Sequence, residues 1–85
     1  MMNQNNYNYK RKKLIDKLMI KLDMQYLGKG GRYTYHDIDE NLYVYDTYHD
    51  ILDWVRRVTD FDTNKKEKCL GVLNEIYVLE MFKHH

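Results

Sequence analysis

Alanine, proline and serine are absent from this 85-residue chain, and cysteine occurs once, at Cys69. A chain without serine has no hydroxyl for a Ser-His-Asp triad. A lone thiol cannot close a disulfide within the chain, which fits a reducing compartment. No run of about 18 apolar residues exists to span a bilayer, and no secretory leader is expected. With so few residues, one modest core is the most the chain can bury.

The net charge of +1 is the residue of two opposed segments. Residues 1–32 hold eight Lys/Arg against Asp16 and Asp23, whereas residues 33–85 hold six against eleven acids, so the first part is +6 and the rest −5. Such polarity bears on partners and leaves the fold open.

Residues 1–9 are Asn-rich and lack apolar periodicity, which predicts a flexible N-terminal arm followed by a single α+β domain over 10–85. From Lys10 onward Leu14, Ile15, Leu18, Met19 and Leu22 recur at helical spacing, with Lys10, Lys13, Lys17 and Lys21 on a separate stripe. The helix ends either at Gly28 or near Asp23; the second reading makes residues 24–27 a short edge strand and is preferred. Gly28, Gly30 and Gly31 then form a turn. A phosphate cradle there is unsupported, because Arg32 opens a strand instead of a helix.

Residues 32–36 and 42–46 alternate with period two around a five-residue loop, predicting a hairpin over about 32–46. Pairing Tyr35 with Tyr43 also pairs Tyr33 with Tyr45, so four tyrosines share one face and Thr34, His36, Leu42 and Val44 the other. The tyrosine face is either a core layer under the helices or a partner-binding platform. Thr47 and Asp50 form a capping box for a helix through about Val58, with Tyr48, Ile51, Leu52, Val55 and Val58 inward. Asn64 and Glu67 mark the start of a last helix reaching about Phe82. The expected fold is thus an N-terminal helix, a two- or three-stranded antiparallel sheet and two C-terminal helices packed on it.

On the last helix Cys69, Val72, Leu73 and Ile76 make one apolar stripe, and Leu70, Tyr77 and Met81 a second about 100° around. The second exceeds what one core needs, so it is assigned first to self-association as a homodimer, the alternatives being cover by the first helix within the monomer or a docking face for a target. Gly71 costs about 1 kcal/mol relative to alanine in mid-helix, which predicts a close backbone approach there.

Catalytic material is scarce. The string Thr-Tyr-His-Asp-Ile occurs at 34–38 and again at 47–51. One copy leaves a strand and the other opens a helix, so the repeat is read as a coincidence of composition and not as a metal site. Asp37, Asp39 and Asn41 match early ligand positions of an EF-hand loop. That loop fails at Leu42, where glycine is needed, and at Tyr48, where a glutamate would close it. Cys69 lies on an apolar stripe and reads as a buried structural thiol. No catalytic residue, cofactor or metal is assigned, and the chain is read as a non-enzyme.

Two binding features remain. Tyr7, Tyr9, Lys10, Arg11, Lys12, Lys13, Lys17 and Lys21 interleave rings with cations, as phosphate contact with base stacking requires. Asp37, Asp39, Glu40, Asp46, Asp50 and Asp53, with Tyr33, Tyr35, Tyr43 and Tyr45, form an acidic and aromatic surface suited to a basic channel. The compositional bias, rich in Tyr, Asn, Lys, Asp and Ile, is that of AT-rich genomes. In size, composition and split charge the chain resembles small phage-encoded inhibitors of nucleic-acid machinery, anti-CRISPR proteins among them. The resemblance implies a phage or mobile-element accessory protein in a bacterial cytoplasm, away from membranes, that docks on a larger host protein or nucleoprotein and inhibits it as a nucleic-acid mimic. The alternative is a small DNA- or RNA-binding protein using the basic arm and helix.

Overall fold

The computed structural model of the chain describes residues 4–28 and 33–83. Its elements are α1 (Gln4–Lys21), β1 (Gln25–Tyr26), β2 (Tyr33–His36), β3 (Leu42–Tyr45), α2 (Tyr48–Phe61) and α3 (Thr63–Lys83). The strands form one antiparallel sheet in the order β1-β2-β3. The α+β architecture expected from the sequence is therefore present.

The beginning of the chain differs from expectation. Residues 1–3 of the expected arm lie outside the described residues, and from Gln4 onward the arm is the first part of α1. Tyr7 is the cause: it continues the stripe of Leu14 and Leu18 and is only 2% exposed. Its hydroxyl meets that of Tyr48 at 3.1 Å, and the Arg11 guanidinium lies 4.1 Å from the Tyr48 ring centre. Local propensity in this Asn-rich turn is weak, and contacts from distant elements supply what it lacks.

α1 stops where the preferred reading put its end. Asp23 takes a left-handed φ of 58°, the Asp23 N–H donates to the Ile20 carbonyl at 3.0 Å and the Met24 N–H to the Met19 carbonyl at 2.9 Å. These two bonds are the Schellman pattern, and Met19 and Met24, both buried, provide its apolar contact. The chain reverses at once into β1, whose Gln25 and Tyr26 pair with His36 and Tyr35. Gly28 also has a positive φ of 66°, while Lys29, Gly30 and Gly31 of the expected turn, and Arg32, expected to open the strand, lie outside the described residues.

The hairpin register is the expected one, Tyr33 opposite Tyr45 and Tyr35 opposite Tyr43. Its loop is tighter than five residues because Asp37 and Asn41 still bond, Asp37 N–H to Asn41 carbonyl at 3.1 Å. Asp37 organises the turn. One carboxylate oxygen accepts from the Asp39 and Asn41 backbone N–H groups at 2.9 Å each, the other from the Asn41 side chain at 3.0 Å and Tyr43 hydroxyl at 3.1 Å. Those bonds hold its carboxyl below the usual carboxylate range, Asn41 contributing most.

α2 opens on the expected capping box: Thr47 accepts from the Asp50 N–H at 3.3 Å, and Asp50 accepts from the Thr47 N–H at 3.1 Å. It runs past Val58 to Phe61 and brings Thr59 into the core, where the hydroxyl is satisfied by the Val55 carbonyl at 2.9 Å. The turn expected over 59–63 shrinks to Asp62. That residue closes α2 with its N–H on the Val58 carbonyl at 3.1 Å and caps α3 with its carboxylate on the Lys65 N–H at 3.2 Å, a role expected of Asn64.

The core joins Ile15, Leu18 and Met19 of α1, Tyr35 and Tyr45 of the sheet, Ile51, Leu52 and Val55 of α2, and Cys69, Val72 and Ile76 of α3. α2 lies on β3, and α3 runs against α1 and α2. Burial pushes the Cys69 thiol up from its ordinary value, in keeping with an unreactive packing role.

Gly71 corrects another expectation. A methyl group placed on it would meet nothing within 4 Å, so no backbone closes on α3 there. Gly71→Ala should therefore stabilise the fold by about 0.5–1 kcal/mol, read as a melting temperature higher by several degrees. A lower one would mean that the site is covered. Removal of residues 1–9 should lower the melting temperature by more than about 5 °C, because it deletes Tyr7 from the junction of three helices. An unchanged melt would show the Tyr7 contacts to be energetically idle.

Candidate functional site

Three places gather polar or unpaired groups from distant parts of the chain. At the first, the Tyr7 and Tyr48 hydroxyls both donate to one carboxylate oxygen of Glu80, Tyr48 at 3.0 Å, with Arg11 over both rings. Burial, reinforced by Glu80, pushes the Tyr7 phenol up. These groups satisfy one another, so the cluster reads as a clamp joining the start of α1, the start of α2 and the end of α3. Tyr7 and Arg11 are thereby withdrawn from the expected nucleic-acid surface.

The remaining cations of that surface are exposed. Lys10, Lys13 and Lys17 edge a groove of about 1010 Å³ between α1 and α3, whose apolar lining is Leu14, Ile20, Val78, Leu79 and Phe82. Lys17 reaches Glu75 of α3 at 3.9 Å, both well exposed, a pairing worth little in water. Lys13 lies 4.7 Å from the Tyr9 ring centre, and Lys12 and Lys21 are exposed.

Farther around α3, the self-association candidates Leu70, Tyr77 and Met81 are exposed as expected, and Val78 and Phe82 extend that apolar surface toward the groove. Val78 and Phe82 were missed because the groove needs α1 beside α3, a pairing that no periodicity within one helix reveals.

The third place is a cleft of about 650 Å³ between the end of α1 and the sheet, bordered by Asp16, Asp23, Asp37 and Glu40 with His36, Tyr26 and Tyr35. No Lys or Arg is among the described residues that line it. Asp16 and Asp23 were hidden in the sequence by the basic segment around them. The Schellman turn leads the chain from α1 into the sheet, so that Asp16 and Asp23 border the same cleft as Asp37 and Glu40 of the hairpin loop. Partial burial pushes the Asp16 carboxyl up from its ordinary value, and Lys12, one turn earlier, opposes that shift.

The expected acidic surface divides accordingly. Asp37 and Glu40 border the cleft and Asp39 sits at the tip of their turn; Asp46 precedes the Thr47 cap, and Asp50 and Asp53 lie in the first turns of α2, where Asp50 is committed to the capping box. The tyrosine platform is corrected: Tyr35 and Tyr45 are core residues, and Tyr33 and Tyr43 pack against that core with Trp54. Helices cover this face, leaving Leu42 and Val44 of the opposite face exposed. The buried hydroxyls of Tyr35 and Tyr45 have no hydrogen-bond partner.

Among the described residues no group of three His, Cys, Asp or Glu side chains is placed to hold a metal ion. His36 lies on β2, and His49 stacks on Tyr48 in α2 with ring centres 4.1 Å apart. No described helix is long and apolar enough to cross a membrane. Compared with protein-family models, curated proteins and solved structures, the chain finds no match.

Burial pushes the Tyr7, Tyr35 and Tyr45 phenols above their ordinary value of 10.0 in the folded state. The unfolded chain then releases those protons first, so stability is intact below about pH 10 and declines as pH rises beyond it. Tyrosinate absorbance followed alongside helical circular dichroism should show these phenols ionising only as the helices melt. Ionisation of every tyrosine in one ordinary step, with the helices intact, would contradict their burial.

Proposed function

We propose that the protein is a non-enzymatic docking module that binds and modulates, by inhibition, a larger host protein or nucleoprotein. The observation that carries this reading is the outer side of α3. Leu70, Tyr77, Val78, Met81 and Phe82 are all about half exposed or more, on a helix whose inner side already supplies the core with Cys69, Val72, Ile76 and Leu79. A contiguous apolar surface of this kind is costly in water and favours a covering partner. Its lysine-edged continuation into the α1/α3 groove suits a partner segment with apolar and acidic side chains. The target class, a nucleic-acid-processing machine, and the phage or mobile-element setting in a bacterial cytoplasm rest on composition and split charge.

Nucleic-acid binding is the second reading, favoured by the exposed stripe of Lys10, Lys13, Lys17 and Lys21. Self-association through Leu70, Tyr77 and Met81 is a third use of the same helix.

A photo-crosslinker at position 77, used in a low-GC bacterial lysate, separates these readings. The docking reading expects one discrete protein adduct that survives nuclease and disappears in a folded Leu70→Glu/Met81→Glu variant. Nuclease-sensitive capture with a steep salt dependence would transfer the function to the lysine stripe. A parent protein that sediments as a dimer and crosslinks only to itself would replace the host partner with a second copy.

A further inference from the structure

The antiparallel sheet ends at β3, and the hydrogen-bond phase of the hairpin decides what that edge presents. The Asp37 N–H donates to the Asn41 carbonyl at 3.1 Å, and on the other side of β2 the Leu27 N–H donates to the Thr34 carbonyl at 2.8 Å. Bonding alternates along an antiparallel pair, so Tyr35 opposite Tyr43 and Tyr33 opposite Tyr45 carry the bonds between β2 and β3. The backbone N–H and C=O groups of Leu42 and Val44 therefore point away from β2, where no further described strand pairs with them.

An edge of this kind is ordinarily blunted by lysine, proline or a bulge. β3 has none of these: it reads Leu-Tyr-Val-Tyr in unbroken register with β2. Leu42 and Val44 are 63% and 48% exposed on the face that the helices leave open. On the helix side Tyr43 is half-buried, with the Trp54 ring centre 5.5 Å from its own. An added strand would thus find apolar neighbours on both of its faces.

Charge selects the occupant. Residues 33–55, which span the hairpin and the first turns of α2, hold Asp37, Asp39, Glu40, Asp46, Asp50 and Asp53 and no Lys or Arg. Glu40 and Asp46 bracket the free edge, each two residues beyond Leu42 or Val44. This disfavours a second copy, because two β3 strands paired antiparallel about Tyr43 would set each Glu40 opposite an Asp46. We infer that β3 is the docking edge for an extended, basic segment of a partner protein. The segment adds as a fourth strand, bonds the backbone of Leu42 and Val44, and sets its Lys or Arg side chains beside the bracketing acids. The inference rests on the docking reading for its biological meaning, but it uses a different surface from the outer side of α3.

Hydrogen exchange and NMR titration of the ¹⁵N-labelled full chain test it. In the free protein the Leu42 and Val44 amides should exchange faster than those of Tyr43 and Tyr45. The peptide acetyl-Lys-Arg-Val-Thr-Val-Arg-Lys-amide should bind saturably with a Kd of about 1 mM or tighter, shifting the Leu42 and Val44 amides and slowing their exchange. Methylation of its three central nitrogens, or Glu in place of its four basic residues, should each weaken binding at least about tenfold. Val44→Pro removes a free-edge donor and no bond to β2, so it should fold and lose binding. If it fails to fold, Val44→Lys serves, because it keeps the backbone and places a cation on the edge. Slow exchange at Leu42 and Val44 in the free protein, a non-saturating titration, equal binding of either modified peptide, shifts confined to α3, or unimpaired binding by the folded variant would each overturn the assignment. None of those results bears on crosslinking from position 77, so the edge and the docking reading can fail separately.

Discussion

The turn at the end of α1 constrains most of the molecule. Asp23 occupies the left-handed region, which a non-glycine residue enters at a cost of about 1–2 kcal/mol and which Asp tolerates better than most. In return the last carbonyls of the helix are satisfied and Met24 folds back beside Met19. Had α1 continued to Gly28, the residues of β1 would point along a helix and β2 would be an edge. The present reversal instead gives β2 a partner on each side. Tyr26 is thereby held 5.4 Å from Tyr35, centre to centre, and Asp16 and Asp23 of the basic segment share a cleft with the hairpin. One local backbone choice thus sets the sheet order, the burial of Tyr35 and the sign of the cleft.

The second constraint is the clamp at the opposite end of α1. Two phenols, one carboxylate and one guanidinium meet where three helices converge, and each ring carries polar and cationic contacts as well as packing area. Such a network holds relative helix positions more sharply than apolar contact does, because its bonds are directional. It also explains why an Asn-rich beginning is helical: helix propensity is a weak prior that a few long-range contacts override.

What the sequence made legible, and what it concealed, follow from the range of each interaction. The Tyr33–Tyr45 and Tyr35–Tyr43 register was readable because strand alternation and the intervening turn are local, and the Thr47–Asp50 box because its partners are three residues apart. The end of α1 near Asp23 was readable as one of two alternatives for the same reason. The Tyr7–Glu80 contact joins opposite ends of the chain, so no pattern within a window of one or two turns could have found it. Gly71 misled because a glycine inside a helix often marks close packing, whereas here it faces open space. For the candidate site, Glu40 and Asp37 were singled out by their own acidic loop, while Asp16 and Asp23 disappeared into the surrounding lysines. The tyrosine face was recognised correctly as a face, but burial decides between core and platform, and that depends on where the helices land.

The folded charge pattern differs in kind from the linear one. Along the chain, a basic segment precedes an acidic one; in the fold, both signs flank the same helix. Lys10, Lys13 and Lys17 look into the groove with α3, whereas Asp23 looks into the cleft with the sheet, and Asp16 and Ile20 border both. α1 is therefore the ridge between two adjoining concave surfaces of opposite sign. Asp16 adjoins Lys17 and lies one turn from Lys12 and Lys13, so the sign changes within one Debye length, about 8 Å at physiological salt, and the two fields overlap along the ridge. A partner that crosses the ridge has to reverse its own charge within that distance. Uniformly acidic and uniformly basic surfaces both fail that requirement, so on the proposed docking reading charge order along α1 would govern specificity where net charge cannot.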